Sequence, residues 1–297
     1  MEDFWKSFGD ARDKARKNHY KCLYPGCGRN AINSHLVQQH PFLDSIAENG
    51  NLYQIKDNEI NPQSGDFSDS KEQLLSIRQV LSMPLFCSQH DNDLFKPIES
   101  VSPDLNSIET CLLFSLRGLA SQRYLESKRL VFYQTTGYDG DLFDEQRDYS
   151  EFIIKRFDRT LSLLLNDMQK QSFKDYVFEV VDLPYVPVCG SDAFVDDDGM
   201  AWSYYNGNKE VKPIDTLYMT LLPFAEEKKL KLVIGYHKRY VVKKQILFFE
   251  QVLKKKNANM LLQTIFRMKN WCCSPSLFEG TDFATIYEIK RAEIILG

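Results

Sequence analysis

Two short stretches hold most of the residues in this chain that could do chemistry. CLYPGCGRNAINSHLVQQH, residues 22–40, contains Cys22, Cys27, His35 and His40; FCSQHDNDLF, residues 86–95, adds Cys87 and His90. The whole chain has only seven cysteines and five histidines. Cys22-x4-Cys27 and Cys87-x2-His90 are two ligand pairs, each short enough to present both side chains from one tight turn, and Pro25 and Gly26 suit the first turn. Three thiolates and one imidazole would complete a closed tetrahedral sphere around a structural Zn²⁺, whose binding helps to fold a region with little core of its own. His35 or His40 could take the place of His90. Those two are five residues apart, so on a helix they would diverge by about 140° and would not serve one metal together.

This order of residues resembles the HNH (ββα-metal) nuclease finger on its treble-clef zinc scaffold. The matching positions are Cys22, Cys27, Gly28, the strand AINSHLV, Cys87 and His90. The resemblance covers about the first hundred residues. It implies a metal-dependent nuclease cleaving DNA or RNA phosphodiesters, an association that extends to bacterial or phage-related defence. It also implies that His35 is the general base, that Asp91 is a ligand to a catalytic Mg²⁺ or Mn²⁺, and that Asp93 is a second candidate on the same turn. An imidazole with an ordinary pKa near 6.5 can accept a proton at neutral pH, and carboxylate oxygens suit hard cations. Ser34 stands where the family carries Asp or His before the histidine. The alternative expectation is a catalytically inactive, zinc-stapled binding or sensing module.

The elements that must position these residues divide, on the sequence, into two expected domains of an α+β protein. Residues 1–100 read as a small zinc-stapled, treble-clef-like domain, and residues 101–297 as helices around a small antiparallel sheet. A short amphipathic helix is expected over 3–19, and a polar loop over 57–70, DNEINPQSGDFSDS. Asn106 with Glu109 reads as a capping box ahead of Ile108, Leu112, Leu116 and Leu119. A second helix is expected through Ile153 to Met168. LYMTLLPF and LKLVIGYH, joined by AEEKK, read as a hairpin. A third helix is expected over roughly 243–270.

Charge is uneven along the chain. Between Lys228 and Lys256 there are ten Lys or Arg against one acid, Glu250, although the net charge is -4. Lys238, Arg239, Lys243 and Lys244 are the candidate phosphate contacts there, with nucleic acid as the expected partner; a protein partner through the C-terminal domain is a second expectation. Arg117, Arg123, Lys128 and Arg129 lie on one helical segment and read as a solvated face, with Glu126 pairing locally. No apolar run is long enough to span a membrane, and no secretory leader pattern is present. A cytoplasmic location with reduced cysteines is therefore expected. CGSD, residues 189–192, lacks the flanking glycine of a nucleophile elbow.

Overall fold

The computed structural model describes residues 2–58, 69–99, 102–136, 141–256, 258–265 and 267–281. The chain begins with helix α1 (Glu2–Lys17), strand β1 (Ile32–His35), a π-helical turn over Gln39–Leu43 and the single turn α2 (Asp44–Ile46). Strands β2 (Asn51–Asn58), β3 (Asp69–Ser76) and β4 (Ser82–Phe86) lead into α3 (Ser88–Phe95), and two long helices follow, α4 (Ile108–Thr135) and α5 (Asp141–Gln169). Next come β5 (Tyr176–Pro184), β6 (Val188–Val195), α6 (Asp197–Tyr205), β7 (Thr216–Phe224) and β8 (Lys229–His237). The last elements are α7 (Lys243–Lys255), α8 (Ala258–Ile265), β9 (Trp271–Cys273) and α9 (Pro275–Glu279).

Seven strands form one antiparallel sheet in the order β3-β2-β9-β6-β7-β8-β5, and β1 pairs with β4 in a separate two-stranded ribbon. The fold is α+β, as expected, but the sheet is larger. Strand β7, TLYMTLLPF, is buried at every position except its last. A continuous apolar run of this kind needs cover on both faces, and alternation decides which side chain meets which layer. Tyr218 and Leu222 face the cluster that contains Leu112, Leu116, Leu119 and Leu161 of α4 and α5. Leu217, Met219 and Leu221 face Phe248, Phe249 and Val252 of α7 and Met260 and Leu261 of α8. The sheet is thus the middle of three layers.

Helix α4 is the central helix. Every residue from Thr110 to Gln122 is buried, so the run is enclosed on all sides. Its N-cap is Ser107, whose Oγ accepts from the Thr110 amide at 3.4 Å; Asn106 instead donates its amide to Asp104. The capping-box expectation was therefore one residue out of place. At Gly118 the helix lies against β6, where an added Cβ would be 2.9 Å from the backbone carbon of Asp192. Only glycine allows this approach.

Three further expectations change. The boundary near residue 100 is not a boundary of the sheet: Tyr53 of β2 pairs with Cys273 of β9, which pairs with Val188 of β6. One core cluster also runs from Cys22 to Cys272. The β2–β3 hairpin has a strand edge to cover, and β9 joins it to the later strands. Of the expected loop at 57–70, Asp57, Asn58, Asp69 and Ser70 are instead paired strand residues of that hairpin, and residues 59–68 lie outside the described residues. The single helix over 243–270 is instead α7, α8 and the strand β9, because Lys256 takes a left-handed conformation (φ 39°) that ends α7. Among the described residues no helix is long and apolar enough to cross a membrane.

Candidate metal centre

The first ligand pair is shaped by its own backbone. Cys27 N–H donates to the Tyr24 carbonyl at 3.0 Å, and Gly26 sits at φ +75°. Pro before Gly, with glycine at positive φ, is the pattern of a type II turn. Cys22 N–H donates to Arg29 O at 2.9 Å, and Leu23 N–H to Leu85 O of β4 at 2.9 Å, which ties the turn to the ribbon. The second pair opens α3. Cys87 is its N-cap and His90 lies in its first turn, so helix geometry alone places their side chains together.

The four ligand atoms of Cys22, Cys27, Cys87 and His90 all lie within 4.8 Å of one another and could hold one metal ion. His90 Nδ1 is 3.4 Å from Cys22 Sγ and 3.5 Å from Cys87 Sγ, and Cys27 Sγ is 4.0 Å from Cys87 Sγ. The His90 ring is stacked on Tyr24, with centroids 3.9 Å apart, and Gln169 of α5 donates to the Tyr24 hydroxyl at 3.0 Å. Arg29 hydrogen-bonds to the Cys27 sulfur and brings that thiol down to about 7; burial pushes Cys22 up to about 11. His40 is not in the cluster: it is exposed and pairs with Asp44 at 3.4 Å. His35 is not in it either. The choice among the histidines therefore falls on His90. Cys111, Cys189, Cys272 and Cys273 are free and buried.

His35 ends β1, opposite Ser82. Its Nε2 is 3.1 Å from the Ile77 carbonyl, and the Gln39 amide nitrogen is 3.1 Å from both. Burial lowers the His35 pKa; the Ile77 carbonyl opposes this, Arg117 reinforces it, and Asp91 opposes it. The fold thus brings His35 and Asp91 into one electrostatic neighbourhood with Arg117 between their effects. Asp93 is exposed and acts on His90 instead.

Arg117 is the residue that sequence reasoning misplaced. It is 2% exposed and not on a solvated face. Its Nη2 lies 3.1 Å from Glu99 Oε1 and 3.9 Å from Asp91 Oδ1, and its guanidinium is 4.1 Å from the Phe95 ring centroid. Asp91 Oδ1 is sealed from water and has no hydrogen-bond partner. A signal did exist: Arg117 interrupts CLLFSLRGLA, which is apolar all round, and a charge there has to be paired. The local pairing expected of Glu126 is present, with Arg129 at 2.7 Å.

The basic run from 228 to 256 meets acids distant in sequence as well as one within the run itself. Lys229 and Lys231 pair with Asp182, Arg239 with Asp175 at 3.8 Å, Lys244 with Asp196, and Lys254 with Glu250. Lys238 donates to the Lys174 carbonyl, and Lys243 is exposed at the start of α7. His237 is a buried core residue, edge-on to Tyr176. Sequence reading also passed over Asp192 of β6, which is fully enclosed. It accepts from Gln122, from the Ala193 amide at 2.7 Å and from the Lys269 and Asn270 amides, and burial pushes its carboxyl up to about 6.

No family model, curated protein or solved structure matches this chain.

Proposed function

We propose that this chain is a zinc-stapled binding or sensing module built on a treble-clef-like ββα scaffold, without phosphodiesterase activity of its own. The observation that carries this reading is the sealed Asp91–Arg117 contact. A carboxylate meant to hold a catalytic cation is best left open to it, whereas here one of its two oxygens, Oδ1, is enclosed against a buried guanidinium. Zinc is supported by the ligand spacing. Tetrahedral bonds of about 2.3 Å to sulfur and about 2.0 Å to nitrogen give edges of about 3.8 Å between sulfurs and about 3.5 Å between sulfur and nitrogen; the Cys27 and Cys87 sulfurs are 4.0 Å apart, His90 Nδ1 is 3.4–3.5 Å from the sulfurs of Cys22 and Cys87, and all four ligand atoms lie within 4.8 Å of one another. Cys22, Cys27, Cys87 and His90 would hold the ion and leave no open position for a substrate. Its contribution is to tie the Pro25–Gly26 turn to α3.

The HNH-like nuclease reading has one specific observation in its favour: β1, β4 and α3 bring His35 and Asp91 within electrostatic reach of each other. On that reading His35 is the general base and Asp91 holds Mg²⁺ or Mn²⁺. One experiment separates the two. Purified protein with a measured zinc content is incubated with plasmid DNA and single-stranded RNA, with Mg²⁺ or Mn²⁺. The module reading expects about one zinc per chain and no cleavage above a His35→Ala control. Cleavage by wild-type protein that falls by orders of magnitude in His35→Ala, with zinc retained, overturns it in favour of the nuclease.

A further inference from the structure

Two acidic stretches far apart in the chain, DLFDEQRD (141–148) and VDDD (195–198), are brought to one surface by the fold. Each lies at the start of a helix, α5 and α6, and the two helices meet through aromatic side chains. Tyr205 of α6 stacks on Tyr149 of α5 with ring centroids 5.7 Å apart, and Gln146 donates to the Tyr205 hydroxyl at 3.4 Å. The buried Tyr204 ring is edge-on to Tyr205 at 5.3 Å and tilted against Phe152 at 5.0 Å. Burial first, and then Glu145, hold the Tyr205 hydroxyl above the usual phenol range, which places that carboxylate near the ring.

Two large rings are left in solvent here. Trp202 is 71% exposed and Tyr205 50% exposed, and at i, i+3 they share one face of α6. Trp and Tyr are the side chains that carry most binding energy at protein interfaces. The acids around them fall into two groups. Asp144 pairs with Arg147, Asp196 with Lys244 and Asp197 with Lys269. The exposed Glu145, Asp148 and Asp198 form no ion pair among the described residues. Lys209 lies with its Nζ 4.8 Å from the Tyr204 ring centroid, so this aromatic cluster already takes one ammonium against a ring face.

We propose that this face docks a basic segment of a partner protein, rich in arginine or lysine, with Trp202 and Tyr205 receiving its cationic side chains and Glu145, Asp148 and Asp198 as their counter-charges. Charge complementarity selects the occupant. Carboxylates without counter-charges repel a nucleic-acid backbone or an anionic membrane surface. An apolar partner would strip water from them and return no hydrogen bond. A cation on a long stem suits both features at once: its head meets the carboxylates while its stem or guanidinium plane lies on the rings. The inference goes beyond the binding-module reading and is separable from it, because no metal-cluster residue belongs to this surface.

The test is calorimetric titration of full-length, zinc-loaded protein with hexaarginine, and with hexaglutamate as control. Hexaarginine is expected to bind with a Kd of about 10–100 µM at low salt, weakening as salt rises, and hexaglutamate is expected not to bind. Trp202→Ala should weaken hexaarginine by about two- to fivefold, the loss of one exposed cation–π contact. Glu145→Gln with Asp198→Asn should weaken it by about five- to tenfold. Glu109→Gln with Glu179→Gln removes the same charge from exposed positions on α4 and β5 and should leave the affinity unchanged. Absence of hexaarginine binding, equal binding of hexaglutamate, unchanged affinity in a folded Trp202→Ala, or equal losses in the two double variants overturns the proposal. If Trp202→Ala does not fold by circular dichroism, the comparison of the two double variants decides. Zinc content and nuclease activity are measured on the same samples. Failure to bind hexaarginine with zinc present and no cleavage removes this inference alone, whereas cleavage removes the module reading.

Discussion

Replacing Arg117 by methionine tests the most consequential contact in the molecule. The guanidinium makes three interactions, and they differ in weight. Glu99 is 44% exposed, so its contact at 3.1 Å is screened and contributes about 1 kcal/mol or less. The stacking over Phe95 contributes about 1 kcal/mol, largely offset by burial of the methionine itself. Asp91 dominates. Its side chain is 15% exposed and Oδ1 is sealed, so removing the partner leaves a largely enclosed carboxylate with one oxygen unpaired, a loss of about 3 kcal/mol. The sum is about 3–4 kcal/mol, or roughly 6–10 °C in Tm for a chain of this size. Urea and thermal unfolding of Arg117→Met, followed by circular dichroism with zinc content measured in parallel, gives the value. Adding Asp91→Asn to Arg117→Met should restore about half of the loss, since the stranded charge is gone, while in the wild-type background the same change should destabilise. A loss below about 1 kcal/mol, or an equal effect of Asp91→Asn in both backgrounds, would refute the burial argument and return Asp91 to the pool of available cation ligands.

Three other outcomes follow from the same geometry. Cys87→Ser should reduce bound zinc to well below one equivalent, and a strong chelator should lower the Tm of wild-type protein; full zinc retention in the variant would contradict the four-ligand assignment. Reversing Lys238, Arg239, Lys243 and Lys244 to glutamate should leave nucleic-acid affinity and its salt dependence unchanged in filter binding, because Arg239 and Lys244 already pair with Asp175 and Asp196; a fall in the salt slope would restore the phosphate-contact reading. Asp192 is held at about 6 when folded against an ordinary 3.8, so the native state binds its proton more tightly than the unfolded chain. Its contribution is fully present below about pH 4 and is lost as the pH rises to about 6, on the order of 3 kcal/mol. Asp192→Asn should flatten that part of the stability profile, and an identical slope in both proteins would show that another group is responsible.

The sequence alone determined the local features. Cys22-x4-Cys27 around Pro25–Gly26, and Cys87-x2-His90 at a helix start, are each completed within a few residues, so spacing and turn chemistry were enough to nominate the four ligands that the fold brings together. The α5 pattern and the β7–β8 hairpin were legible for the same reason, through periodicity and a short connection. What depends on partners distant in the chain was decided only by tertiary structure. Arg117 is separated from Asp91 and Glu99 by 26 and 18 positions, and nothing on its own helix shows that carboxylates will surround it. The basic run looked like a polyanion surface because the sequence between 228 and 256 does not contain Asp175, Asp182 or Asp196, which strand pairing and helix packing bring to it. The boundary near residue 100 disappeared because the three residues of β9 join the β2–β3 hairpin to β6. A strand that short has too little pattern to be read, and its identity comes from the backbone groups of the two neighbours that it satisfies.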